Sequence, residues 1–322
     1  MTEGRWRTSP DVLQDLETRG GPFDSEAFRR AWIRSYPGWS DASFGAEMAD
    51  GTRAAISLLV RDGAAESMPN NYGSVVTSRG WGFGEEEMRS FLEAACDACG
   101  ASGLVARSVP VRPDPSSHHV GSRVGGWTSV VYLGRGADLA ARFAFKARRS
   151  MRIAIEAGAE IEQTADPSGF TRLYQTTSRD HWMRYPDALI EELAAEGIAR
   201  FFDVSLGGDR VASVMVLRSA SHWIAWMAAQ DARGREINAN YLATGQMLDT
   251  AQRSGVTAVD LGVSTGMAGV AHFKRRFDAV DVPVLEYRIV SITERMTSTV
   301  GRLGRRILGR ARRISRRSRT ER

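Results

Sequence analysis

A helix-like stretch that ends on a glycine and runs straight into an apolar strand occurs twice in this chain. Residues 85–99 lead through Gly100 to a strand near Leu104, and residues 237–254 lead through Gly255 to a strand near Val259. The two glycines lie 155 residues apart, about one domain length. That spacing supports two related α/β units in tandem, and the order of elements repeats neither a heptad nor a short-period unit. At 322 residues, with 43% apolar and 25% charged residues, there is length and material for two real cores.

The expected division is a loose segment over 1–20, a first unit over 21–136, a second over 137–292 and a basic tail over 293–322. In the first unit Ser25 caps a helix reaching Tyr36, with Phe28, Trp32 and Ile33 on one face. Residues 44–48, 53–60, 104–111 and 127–133 read as strands, and 118–126 as a glycine-bearing loop. The helix over 85–99 opens on three glutamates, which suit the positive end of its dipole. The second unit begins after Gly134-Arg135-Gly136 with one helix over 139–157, stopped by Gly158. A short strand (161–164) and two helices (168–178, 186–196) follow. A meander comes next over 199–206, 211–217 and 222–229, turned once by Gly207-Gly208-Asp209. A helix over 237–254, a strand over 258–261 and a last strand over 282–291 complete a mixed α/β chain with largely antiparallel sheets.

The net charge of +5 hides an asymmetry. Residues 301–322 hold ten Arg against one Glu, a sum of +9, which leaves −4 on the rest of the chain. The high isoelectric point therefore belongs to the tail. Within residues 300–319, Leu303, Ile307, Ala311 and Ile314 fall at helical spacing among arginines. A basic amphipathic helix of this kind suits an anionic membrane surface, with RNA phosphates or a solubilising tail as the rival readings. No apolar run approaches the ~18 residues of a membrane span and no leader-like core follows the N-terminus, so a cytoplasmic protein is expected, peripheral at the inner face of the membrane if the tail binds lipid. Cys96 and Cys99 lack a second pair of ligands at metal spacing and are expected as reduced, buried helix cysteines; no metal site is expected.

Chemistry concentrates in two places. Residues 257–279 read as a strand, a loop of small residues and a basic helix start, the parts from which α/β proteins build anion sites. Asp260 stands at the strand end, as a base or as a hydrogen-bonding brace for the loop. His272 and Lys274 stand on the helix start, and Lys274 is one of only two lysines. The second place is Lys146, Arg148, Arg149 and Arg152 near the start of a helix. Cations there oppose the dipole by a few tenths of a kcal/mol each, so local stability does not account for them and an anionic ligand would. There is no G-x-S-x-G, H-E-x-x-H, Walker loop or G-x-G-x-x-G after a strand.

The helix Phe145-Lys146-Ala147-Arg148-Arg149-Ser150-Met151-Arg152-Ile153-Ala154-Ile155-Glu156-Ala157-Gly158 resembles the "K-x-R-x-x-I-R-K-A-x-x-x-G" helix of FemAB-like proteins in the GNAT acyltransferase superfamily. Asp260-Leu261-Gly262 and the run from Gly269 to Phe277 resemble that family's "G-L-x-x-F-K-x-x-F" region, and Met68-Pro69 with Tyr72-Gly73 its "S-x-P…Y-G-G" turn. The resemblance implies two tandem GNAT-like domains and transfer of an aminoacyl or acyl group to an amine of a cell-envelope precursor, peptidoglycan or polysaccharide. No tightly bound cofactor is implied; the donor is aminoacyl-tRNA, which would make tRNA a partner, or acyl-CoA. Lys274 and Asp260 would be catalytic, and Tyr72, Lys146, Arg148, Arg149, Arg152 and His272 would bind substrate. One departure is that residues 233–240, where coenzyme A-binding relatives carry a Q/R-x-x-G-x-G/A loop, lack the later glycines. Two further readings are an acyl-CoA-dependent N-acetyltransferase for an amino sugar or exopolysaccharide precursor, and a non-catalytic binder of an anionic glycolipid or RNA.

Overall fold

The computed structural model describes residues 6–69, 72–78, 83–109, 123–134, 138–177, 184–220, 222–264 and 267–290. The basic tail expected over 293–322, the part of the expected loop around His118 up to residue 122, and residues 178–183 lie outside the described residues. The first half carries strands β1 (Arg7–Thr8), β2 (Ser40–Asp41), β3 (Phe44–Glu47), β4 (Arg53–Ile56), β5 (Leu59–Arg61), β6 (Ala64–Glu66), β7 (Val75–Thr77), β8 (Gly103–Ser108) and β9 (Arg123–Tyr132). Its α-helices are α1 (Gln14–Arg19), α2 (Glu26–Ser35) and α3 (Glu85–Ala98). The second half carries helices α4 (Leu139–Arg142), α5 (Phe145–Glu156), α6 (Ser168–Thr177), α7 (Asp187–Ala195), α8 (Ala232–Glu236), α9 (Ala239–Arg253) and α10 (Ala268–Arg275). Its strands are β10 (Ala159–Thr164), β11 (Ala199–Leu206), β12 (Asp209–Arg218), β13 (His222–Gln230), β14 (Ala258–Val263) and β15 (Val280–Val290).

Local chemistry explains most boundaries. The Ser25 hydroxyl accepts from Phe28 N at 3.2 Å and starts α2. Gly207 and Gly208 both take positive φ, as a two-residue hairpin between β11 and β12 requires. The one helix expected over 139–157 is instead two. Phe143 is buried edge-on against Phe277 at 5.1 Å, and Ala144 N donates to Arg276 O, so tertiary contacts pull these residues out of the helix. The strand expected over 53–60 is likewise split at Ser57-Leu58, so that β4 joins one sheet and β5 another. Residues 123–126, expected as loop, belong to β9. Cys96 is fully buried and Cys99 partly so, and no disulfide joins them.

Eleven strands form one sheet in the order β10-β11-β12-β13-β14-β9-β15-β8-β6-β5-β2, and β1-β3-β4-β7 form a second. Pairing is antiparallel except at β13–β14 and β6–β8. The central strands are covered on both faces. Val214 and Val216 of β12 face the core shared with α5 and α9, while Met215 and Leu217 face the core shared with α2, α6 and α7. A third core packs α3 on β8 and β15.

The two halves interleave rather than abut. β9, from the first half, lies between β14 and β15, and β15, the last strand, lies between β9 and β8. Glu286 of β15 is buried at this seam and bonded to Arg107 of β8 at 3.0 Å, Arg123 of β9 at 2.7 Å and Arg288 at 2.8 Å. Burial acts to raise its carboxyl, but the bonds and charges of Arg288, Arg123 and Arg107 outweigh that and bring it down to about 2. A carboxylate held down in the fold contributes stability above its unfolded value, lost as pH falls through the folded value. Glu286→Gln should therefore cost about 1–2 kcal/mol at neutral pH, reduced by the exposure of two arginines. In urea melts the gap between wild type and variant should close between about pH 4.5 and pH 2. A gap constant across that window would show that the seam does not depend on this charge.

Candidate functional site

β13 and β14 stay paired for only three residues, His222 to Ile224 against Ala258 to Asp260. Beyond that point they diverge, and a groove of about 1120 Å³ fills the gap between residues 225–230 and Leu261, Gly262 and Val263. β13 is bent here by one extra residue. Val216 of β12 faces Ala225 and Met215 faces Met227, so Trp226 is the bulged residue, and its ring enters the groove wall. Phe23, Tyr174 and Tyr185 complete an aromatic wall, with Tyr185 4.5 Å and Phe23 5.8 Å from Trp226 between ring centres.

The other end is polar and is built from Arg235 of α8, Asn238, and the first turns of α9. Asn238 sits at φ 60°, a left-handed conformation that asparagine tolerates better than most non-glycine residues. It supplies the turn for which the loop has no glycine. The first N–H groups of a helix have no partner inside it, and the buried Asn240 Oδ1 has none among the described residues. A ligand with acceptors and an N–H group is accommodated by this end. A Cβ on Gly234 would stand 2.3 Å from the Val211 carbonyl, so α8 reaches this position only with glycine there.

Lys274 lines the middle of the groove. The strand–loop–helix reading placed it at a helix start; it is instead the last-but-one residue of α10, at the end where positive charge suits the dipole. Its ammonium donates to Gly262 O at 2.6 Å and Val263 O at 3.1 Å, which leaves one of its three N–H groups for a ligand. Gly262 at φ +81° aims its carbonyl at that ammonium. Burial lowers the Lys274 ammonium to about 8, against the pull of Asp260 and Asp281. Among the described residues, Arg235 and Lys274 are the charged side chains that line the groove.

Asp260 lies beneath this wall, 2% exposed. Its Oδ2 accepts from the Tyr72 hydroxyl at 2.5 Å; its Oδ1 accepts from Thr128 at 2.5 Å and Gly262 N at 2.6 Å. Asp260 thus braces three segments far apart in sequence, including the Gly262 turn that positions Lys274. Tyr72 reaches it from the first half because the preceding turn is pinned. Asp24 accepts from Gly21 N and Ser74 N at 2.8 Å, and a Cβ on Gly73 would stand 2.8 Å from its Oδ1. Burial raises the Asp24 carboxyl to about 6 against those bonds and Arg29. Burial, and then Asp260, raise the Tyr72 phenol well above its ordinary value, so it stays protonated and donates. Beside Tyr72 a small pocket of about 50 Å³ is bordered by Asp24, Asp260, His222 and Tyr132.

Of the residues singled out in the sequence, Lys274 and Tyr72 line the groove and Asp260 supports both. His272 is exposed on α10 and does not line it. Lys146, Arg148, Arg149 and Arg152 do not line it either. Arg148 donates to the carbonyls of Ala140, Ala141 and Phe143 at the end of α4, so it has a structural use. Thr128, Trp226 and Asn240 went unnoticed in the sequence. Thr128 meets Asp260 only through the pairing of β9 with β14 across 132 residues, and no local pattern signals that. Among the described residues no group of three His, Cys, Asp or Glu is placed to hold a metal, and no helix is long and apolar enough to cross a membrane.

Comparison places this geometry in a class. Residues 146–275 match the family described as "Acetyltransferase (GNAT) domain", so this segment is similar to that domain. The fold of the chain as a whole is that of tandem GNAT proteins. FemX shares it at a TM-score of 0.63 and 14% identity, over 89% of this chain and 98% of that one. The C-terminal domain of a putative lysylphosphatidylglycerol synthetase from Agrobacterium fabrum gives 0.54 and 12%, over 90% and 95%. A tandem GNAT protein from the clavulanic acid biosynthesis pathway gives 0.51 and 13%, over 89% and 98%. No curated protein matches the sequence.

Proposed function

We propose that the protein transfers an acyl or aminoacyl group to an amine of a cell-envelope precursor. The observation that carries this reading is the groove between the splayed strands, lined by a buried lysine and with aromatic side chains at one end and polar ones at the other. The donor's phosphates would lie at Arg235 and the start of α9, where backbone N–H groups and a cation suit them. The acceptor would approach from the aromatic wall. Its free amine attacks the donor carbonyl, a C–N bond forms, the C–S or C–O bond to the donor breaks, and the amine's proton leaves with the thiol or hydroxyl. The oxygen of the tetrahedral intermediate gains charge as the amine adds, and the remaining N–H of Lys274 would stabilise it in a water-poor site. Asp260 and Tyr72 would hold the wall that positions this lysine.

An acyl-CoA donor is favoured over aminoacyl-tRNA by the match of residues 146–275 to an acetyltransferase family, and a groove of about 1120 Å³ has room for an acyl group and its thioester arm. The envelope acceptor rests on likeness to FemX and to the synthetase domain whose title names lysylphosphatidylglycerol. Binding of acetyl-CoA and of charged tRNA, each followed by transfer to amino-sugar and peptidoglycan-precursor acceptors, tests the reading. Saturable binding of acetyl-CoA with release of free thiol in the presence of an amine is expected. If neither donor binds, the site is not a transferase groove and the binding-protein reading gains.

A further inference from the structure

The cations of α5 remain unused by the groove. Lys146, Arg149 and Arg152 are exposed, and no carboxylate among the described residues lies within the 4.0 Å of an ion pair. The helix has one carboxylate of its own, Glu156, at its last position. The same helix carries the two most exposed large apolar side chains among the described residues, Phe145 at 70% and Ile155 at 59%. At 3.6 residues per turn, Phe145, Arg149, Arg152 and Glu156 share the sector opposite the buried Ala147, Ser150 and Ala154, with Lys146 on one flank and Ile155 on the other. Neither solvent nor the fold accounts for bare phenyl and sec-butyl groups beside the exposed cations on the solvent-facing half of one helix.

An anionic lipid surface accounts for both. Headgroup phosphates take the cations, while the apolar side chains enter the boundary of the acyl region. A phosphodiester strand would neutralise the cations but leave Ile155 in water. We propose that the outer face of α5 is a docking surface for an anionic membrane, with Phe145 as its inserted anchor. This surface is separate from the groove and independent of the transfer reaction.

The lysine content offers a direct test in the full chain. Of the two lysines, Lys146 is exposed at the edge of this face and Lys274 is buried, so an amine-acetylating reagent reads α5 at a single position by peptide mass spectrometry. Vesicles of phosphatidylcholine containing phosphatidylglycerol are expected to slow Lys146 modification about tenfold, and pure phosphatidylcholine vesicles to leave it unchanged. Replacing Arg149 and Arg152 together by serine should weaken co-sedimentation about 25-fold, roughly fivefold for each cation, and lysine at both positions should restore it. Phe145→Ser should weaken it as well. The proposal is overturned if vesicles pellet the protein while Lys146 stays fully reactive, since another segment then holds the lipid. It is equally overturned if an RNA duplex protects Lys146 and anionic vesicles do not.

Discussion

Lys274→Met is expected to lower turnover about 10²- to 10³-fold while the chain stays folded, the size of effect seen when one oxyanion-stabilising donor is removed. The direction of the stability change follows from its protonation. A lysine brought down to about 8 in the fold binds its proton less tightly than in the unfolded chain, so the unfolded state carries the extra proton between about pH 8 and 10.5. Stability of the wild type therefore rises with pH across that window, and below it the buried charge is a net cost. Methionine removes that cost but leaves the Gly262 and Val263 carbonyls without their donor, a loss of about 1–3 kcal/mol for each buried group left unpaired. The two effects oppose, so the net change at neutral pH should stay within about 2 kcal/mol. Thermal melts at pH 7 and pH 10 beside initial rates would check this. Undiminished turnover in a folded Lys274→Met protein would remove the lysine from the reaction.

Asp260→Ala should be the most damaging single change to the site's framework. It leaves the Tyr72 hydroxyl, the Thr128 hydroxyl and the Gly262 N–H without their common acceptor in a buried place. A loss of about 3 kcal/mol is expected, with turnover falling further than stability because the Gly262 turn that holds Lys274 loses its brace. Asp260→Asn keeps an acceptor for Thr128 and Gly262 and should recover most of the activity. Tyr72→Phe in combination with Asp260→Asn should show coupling, since both act on one bond. If asparagine rescues folding but no activity, the charge of Asp260 takes a direct part and its role is more than positional.

Much of the architecture is legible in the sequence because it is local. The cap at Ser25, the Gly207-Gly208 turn and the glycines after α3 and α9 set element ends by backbone chemistry alone. The expected element boundaries fail where distant residues intervene. Phe143 and Ala144 look helical until Phe277 and Arg276 are brought against them. Residues 268–271 contain a glycine and little periodicity, which hid the first turn of α10 and put Lys274 at the wrong end of its helix. The site divides in the same way. Lys274, Asp260 and Tyr72 stand out through composition and resemblance, whereas Thr128 and the bulged Trp226 depend on strand register. The α5 cations are equally conspicuous in the sequence, yet only their placement separates them from the groove.

The interleaving of β9 and β15 bears on how the molecule is made. On a chain emerging from the ribosome, β8 and β9 are synthesised early but their shared neighbour comes last. Until β15 arrives, both strands present unpaired edges, the kind of surface that recruits other chains. Synthesis interrupted in the second half would leave a nearly complete protein with an open slot in its main sheet. Such a fragment would be a substrate for holding chaperones and a seed for association, and a peptide spanning residues 280–290 would be its natural plug.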